Sequence, residues 1–287
     1  MNEQYLMAKA LFRATAVIAV TGITVTPATA TEPCGDLGEC KVLIEMNTTD
    51  GDIGLHFLVD GDDLVKVEGK NPDGRKFFKA DAKKELREQF FTETFVESAE
   101  PLCRAELAEE EGEEVVTLEE FLERWAPGTY VFKGKGDGGE KPQGETELTY
   151  DLPAAPMDLM FDDVTDVISW VAGDDLGECA TNAELHELVM EGVLPRHPED
   201  VLVDAWEVVF EPDVDDGDPL GKLKFTIRLA GDITTKAVTV PTEYLADLPD
   251  DTLVKIEVGA IGGEDNATFT EIFDICVNED EGCGDDD

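Results

Sequence analysis

The chain has 287 residues, of which 67 are acidic and 22 basic, for a formal net charge of −45. A surface of that sign excludes nucleic acid as a partner, because phosphate binding needs positive charge, and it argues against docking on anionic lipid. Three readings of the acidity stay open: adaptation to salt, binding of divalent cations, and plain solubility of an exported protein.

Taken in chain order, residues 1–30 read as a signal peptide. Lys9 and Arg13 form a basic start, Ala14 to Val25 an uncharged and mostly apolar centre, and Ala28-Thr29-Ala30 a small-x-small cleavage site. The apolar run is too short to span a bilayer, and no later stretch is long enough. The expected product is therefore secreted, extracellular or periplasmic, with cleavage near Ala30 and no membrane span.

All six cysteines lie beyond that site: Cys34, Cys40, Cys103, Cys179, Cys276 and Cys283. An even count in an exported chain points to disulfides, with many connectivities open. Spacing makes Cys34–Cys40 and Cys276–Cys283 natural pairs. Cys103 and Cys179 remain, and if paired they staple the two halves of the chain together. No pair has the C-x-x-C spacing of a metal site. The pentapeptide Asp-Leu-Gly-Glu-Cys occurs at 36–40 and again at 175–179, too short a match to establish a repeat.

A first domain is expected over 40–151. Val42 to Met46 is an apolar strand, Asn47 to Gly54 a turn, and Leu55 to Val59 the next strand. Asp60-Gly61-Asp62-Asp63 is read as a further turn, and Asn71-Pro72-Asp73-Gly74 as a hairpin turn leading into Lys76-Phe77-Phe78. Helical signals follow. Leu86 and Phe90 are spaced i, i+4 within 82–91, and Thr117-Leu118-Glu119-Glu120 is a capping box ahead of Phe121, Leu122 and Trp125. Strands return at 129–132 and 145–150. Eight of the basic residues gather in one stretch: Lys66, Lys70, Arg75, Lys76, Lys79, Lys83, Lys84 and Arg87. The plain reading is the solvated face of a hairpin and helix. The sharper one is an island that contacts acidic surface.

Residues 152–156, with Pro153 and Pro156, read as a linker. A second domain is expected over 157–277, with strands at 167–170, 205–211, 223–229, 237–241, 253–258 and 267–276, followed by an acidic tail over 278–287. Short strands separated by turns at this spacing indicate a β-sandwich. The long loop 171–203 carries Cys179 and a helix from Asn182 to Gly192 with Leu185, Leu188 and Val189 on one stripe. Loops of that length are usually functional or disordered. A helix covering an open sheet edge explains it equally well.

The second domain resembles a fibronectin type III-like module. The likeness is carried by Ile168-Ser169-Trp170, Trp206-Glu207-Val208, Val238-Thr239-Val240-Pro241 and Lys255-Ile256-Glu257-Val258-Gly259-Ala260. Trp206 stands where a Tyr is common, and loop 171–203 is longer than the pattern. The first domain more loosely resembles a bacterial immunoglobulin-like sandwich with a helical insertion. Together these imply an all-β chain of two tandem sandwiches with short helical insertions, a fold that does not by itself choose a function.

Chemical motifs are sparse. His186-Glu187 lacks the second histidine of a zinc protease, because Met190 stands in its place. His56 and His197 have no motif around them. There is no Gly-x-Ser-x-Gly elbow. Calcium is the one cofactor candidate. Asp50, Asp52, Asp60, Asp62 and Asp63 lie on what read as consecutive turns, and if those turns share an end their oxygens converge on one ion. Asp213, Asp215, Asp216 and Asp218 form another cluster. The expected function is a secreted, non-enzymatic binding, adhesion or envelope-structural protein with a protein or cell-surface partner. A calcium-stabilised matrix module is the first alternative and an extracellular hydrolase the last.

Overall fold

The computed structural model describes residues 34–108, 114–215, 217–278 and 283. The signal peptide and most of the acidic tail fall outside the described residues. The strands are β1 (Glu39–Asn47), β2 (Asp52–Lys70), β3 (Lys76–Asp81), β4 (Phe91–Glu97), β5 (Gly128–Gly136), β6 (Gln143–Leu148), β7 (Met157–Asp162), β8 (Val167–Val171), β9 (Val203–Pro212), β10 (Phe225–Ala230), β11 (Ala237–Thr239), β12 (Thr252–Gly262) and β13 (Ala267–Val277). The α-helices are α1 (Lys84–Gln89), α2 (Leu118–Arg124), α3 (Asn182–Glu191) and α4 (Thr242–Leu245). The chain is mostly β, in two sheets. The larger runs β10-β9-β12-β13-β1-β2-β5-β6, with β3 and β4 also paired to β2, and the smaller is β11-β8-β7.

Alternation explains the layers. In β9, Trp206, Val208 and Phe210 point inward while Glu207 and Glu211 point out. In β12, Val254, Ile256 and Val258 do the same opposite Lys255 and Glu257. These apolar faces pack against Leu159, Ile168 and Trp170 of the small sheet, so β7, β8 and β11 lie over β9, β10, β12 and β13 around one core. Trp170 meets Trp206 with ring centroids 5.9 Å apart.

A second core fills the other half of the chain. Val42, Ile44 and Met46 of β1 meet Leu55, Phe57 and Val59 of β2, Tyr130 and Phe132 of β5, and Phe121 and Leu122 of α2. Thr117 caps α2 as expected, its Oγ1 accepting from the Glu120 N–H at 3.3 Å. The two cores share one sheet because β1 pairs in parallel with β13, Glu45 to Asn47 matching Ala267 to Phe269. Asn266, fully buried, closes the seam. Its Oδ1 accepts from the Ile44 N–H at 2.9 Å, and its amide nitrogen donates to the Thr149 and Asp151 carbonyls at 3.0 and 3.2 Å. The described residues thus form one compact unit. The segment expected to be a linker marks the change from one core to the other, yet Leu152, Ala154 and Ala155 are buried in it and the sheet runs across.

Several local expectations change. Asp60 to Asp63 do not reverse the chain; they are a bulge within the single long strand β2. The register slips between Asp60 and Leu64, and Asp63 takes a φ of 49°. There β2 passes from pairing with β1 and β4 to pairing with β3 and β5. The helix expected over 82–91 shortens to α1, which buries nothing and leaves Leu86 half exposed, and Phe91–Glu97 becomes strand β4. The basic stretch pairs locally, Lys66 and Lys76 with Glu68 and Lys79 with Asp81, in keeping with a solvated face.

The three disulfides are Cys34–Cys40, Cys103–Cys179 and Cys276–Cys283. Cys103–Cys179 ties the loop after β4 to the 171–203 insertion. That insertion contributes to the first core rather than covering the second: Leu176, Leu185 and Leu194 are buried in it, with Leu188 and Val189 packed alongside. The capping box of α3 is complete, because Glu184 reaches back to Thr181. Glu184 also pairs with Arg104, next to the disulfide. These bonds, Thr181 first, hold its carboxyl down at about 2. The repeated Asp-Leu-Gly-Glu-Cys now has a structural role. In both copies the leucine, Leu37 or Leu176, plugs the first core, and the cysteine is bridged.

Candidate functional site

The outward face of the large sheet forms an open groove of about 790 Å³. Its floor follows from strand register. One row crosses five strands: Glu207, Gly259, Phe269, Asn47 and Asp52. The next sets Glu257 directly beside Glu271, and a third sets Lys255 beside Glu211. Gly259 is required here, since the Phe269 ring lies 2.4 Å from where its Cβ would stand. Asp50, Glu100, Asp213, Asp215 and Asp218 line the rim, while Asp216 lies outside the described residues.

Like charges opposed across strands destabilise a sheet, and only part of this row is compensated. Lys255 pairs with Glu257 at 2.7 Å and Glu211 at 3.2 Å, Lys224 with Glu211 at 2.8 Å, and Arg228 with Glu207. Burial lowers the Lys255 ammonium, but its carboxylate partners more than reverse that and raise it. At the other end the carboxylates dominate. Burial, then Glu257, push Glu271 up to about 7, with Asp50 and Asp52 adding to the effect and Lys255 opposing it. Burial, then Glu100 and Asp50, push Asp52 to about 6. Burial also raises Glu45, against the pull of His56. This end of the groove favours a bound cation or a proton.

Glu45, His56 and Glu100 adjoin that end. His56 is 3% exposed, with its ring edge-on to Phe95 at 5.9 Å. Its Nδ1 faces Glu45 Oε2 at 3.6 Å, and its Nε2 faces Glu100 Oε1 at 3.2 Å.

The structure divides the aspartates singled out in the sequence. Asp50 and Asp52 line this groove. Asp60, Asp62 and Asp63 line a separate cavity of about 800 Å³ with Asp36, Asp137 and Glu140. Asp60 lies eight residue steps beyond Asp52 along β2, roughly 26 Å at strand rise, so the two sets do not converge on one ion. Glu45, Glu207, Glu257 and Glu271 escaped sequence reasoning. Each stands at an outward position of an alternating strand, a visible signal, but nothing local says that these strands are neighbours.

Among the described residues no helix is long and apolar enough to cross a membrane. No protein-family model matches the chain, and no curated protein matches it significantly. Solved structures with partial similarity include three. A biofilm-associated protein BSP domain has 11% identity, covers 86% of this chain and 30% of its own, and has a TM-score of 0.22. A tetra-tandem repeat from the extending region of a large adhesion protein gives 9%, 83%, 50% and 0.24. A bacterial ice-binding adhesin gives 11%, 86%, 65% and 0.23. The chain spans less than two thirds of each, and overlap at these TM-scores fixes neither fold nor function.

Proposed function

We propose that the chain is a secreted, non-enzymatic binding or envelope-structural module that works outside the cytoplasm after cleavage near Ala30. The carrying observation is an open apolar edge on an otherwise cross-braced body. Among the described residues strand β7 pairs with β8 alone, and Met157 pairs with Val171 along it. Met157, Met160 and Val171 are 41%, 61% and 45% exposed. An unpaired strand edge with adjoining apolar side chains suits a protein or cell-surface partner. The three disulfides support an oxidising compartment. In the second half, three strands lie over four with Trp170 against Trp206, which supports a fibronectin type III-type sandwich. The test is binding of the labelled mature protein to intact cells of its source. Met160→Lys with Val171→Lys is expected to abolish binding without changing the unfolding midpoint; undiminished binding would overturn the assignment.

A second reading, calcium stabilisation, is favoured by the carboxylates of Asp50, Asp52 and Glu271 crowding one end of the groove. Its test is thermal unfolding in EDTA and in millimolar calcium at matched ionic strength. A calcium-specific rise in midpoint supports a site, since a ligand bound only by the folded state stabilises it by mass action. An equal rise with sodium chloride ends this reading for both sets of aspartates.

A further inference from the structure

We propose that Glu45, His56 and Glu100 form a site for a borderline divalent cation of the Zn²⁺ type, held by one imidazole nitrogen and two carboxylates. The site adjoins the carboxylates of the calcium reading but shares no ligand with them. One ligand atom from each of the three residues lies within 4.8 Å of the others. Ligand atoms around a tetrahedral ion bound at about 2.1 Å stand roughly 3.4 Å apart. His56 Nε2 and Glu100 Oε1 already stand 3.2 Å apart; Glu45, which faces Nδ1 at 3.6 Å, has to swing toward Nε2 to complete the set.

The three residues come from different parts of the fold. Glu45 is on β1 and His56 on the adjacent β2, while Glu100 is on the segment that continues β4 alongside β2. That segment is held in place. The Leu55 N–H donates to Ser98 Oγ at 2.9 Å, Ser98 Oγ donates to the Ala99 carbonyl at 2.9 Å, and the Ile53 N–H donates to the Pro101 carbonyl at 3.2 Å. Gly54 keeps the space between the ligands clear. A Cβ there would stand 2.8 Å from Glu100 Oε1 and 3.3 Å from His56 Nε2.

Two features separate this group from an ordinary acidic patch. His56 is buried, so its nitrogens face carboxylates rather than bulk water, with Glu97 Oε1 a further neighbour at 3.9 Å. The donor set is also mixed. Calcium takes six to eight oxygens, whereas an imidazole nitrogen with carboxylates suits zinc and its neighbours. Bound metal would pin the 98–104 segment to β1 and β2, next to the Cys103–Cys179 bridge.

The experiment is calorimetric titration of the mature protein with zinc, then with calcium and magnesium as competitors. One zinc per chain that excess calcium does not displace is expected. His56→Gln and Glu100→Gln are each expected to weaken it at least about tenfold. Because His56 is buried and its variant can fail to fold, Glu100→Gln, whose side chain is 42% exposed, gives a second test. Electron paramagnetic resonance of the Cu²⁺-loaded protein gives a third: one nitrogen ligand is expected in the wild type. Absence of zinc binding, unchanged affinity in Glu100→Gln, complete displacement by calcium, or a copper spectrum without nitrogen would each overturn the assignment. Zinc affinity that survives in a folded His56→Gln protein would do so as well.

Discussion

Replacing Glu271 by Gln should make the protein more stable above neutral pH and leave it unchanged in acid. Glu271 lies on β13 beside Glu257, with Asp50 and Asp52 near, and its carboxyl rises from an ordinary 4.5 to about 7. The folded protein therefore holds this proton more tightly than the unfolded chain does. The associated stability is complete below about pH 4.5 and is lost as pH rises through about 7. At face value that displacement is worth roughly 3 kcal/mol; the carboxyl is partly exposed, and solvent screening brings it to about 1–2 kcal/mol. Gln keeps an oxygen to accept from Asn47 Nδ2, now at 2.8 Å, so the local contact survives. Urea or thermal unfolding in EDTA between pH 4 and 8 is the assay. Variant and wild type should coincide near pH 4, and the variant should lead by about 1–2 kcal/mol, or roughly 3–6 °C, at pH 8. A constant difference across the range, or a less stable variant at pH 8, would refute the reasoning.

Removing the Cys103–Cys179 bridge, whose residues are 76 apart, should cost about 4 kcal/mol on loop-closure grounds, against about 2 for Cys34–Cys40 with a separation of 6; urea midpoints of the paired Ala variants check the ratio. Asn266→Ala strands the Ile44 N–H and the Thr149 and Asp151 carbonyls at the seam and should cost about 3 kcal/mol, read by thermal unfolding. Leu185→Ala should cost about 2–5 kcal/mol if α3 belongs to the first core as described; a loss under about 0.5 kcal/mol would mean the helix is a loose cover.

Much of the fold is legible along the chain because it is local. The alternation in Val42 to Met46, in 205–211 and in 253–258 sets which side chains face inward, and the Thr117 cap fixes where α2 begins. Cysteine spacing made the two short-range bridges natural and left Cys103 and Cys179 to each other. Turn chemistry misled at Asp60 to Asp63, since Asp and Gly suit a bulge as well as a reversal. At 91–97, exposed positions of an outer strand carry too weak a pattern to read.

What the tertiary structure alone decides is adjacency between distant segments. The parallel meeting of β1 with β13 turns two expected sandwiches into one sheet, and no residue near 45 or 267 announces it, because backbone pairing carries little side-chain signature. The same meeting brings Asn47 and Asp52 beside Glu271 and sets Glu45 near Glu207, and so creates the charged groove. It also leaves Asp60, Asp62 and Asp63 a strand's length away. Sequence determined the charge, the disulfide chemistry and the inward faces, which depend on composition and short periodicity. Which carboxylates share a site depends on register across strands, and register is set only when the cores close.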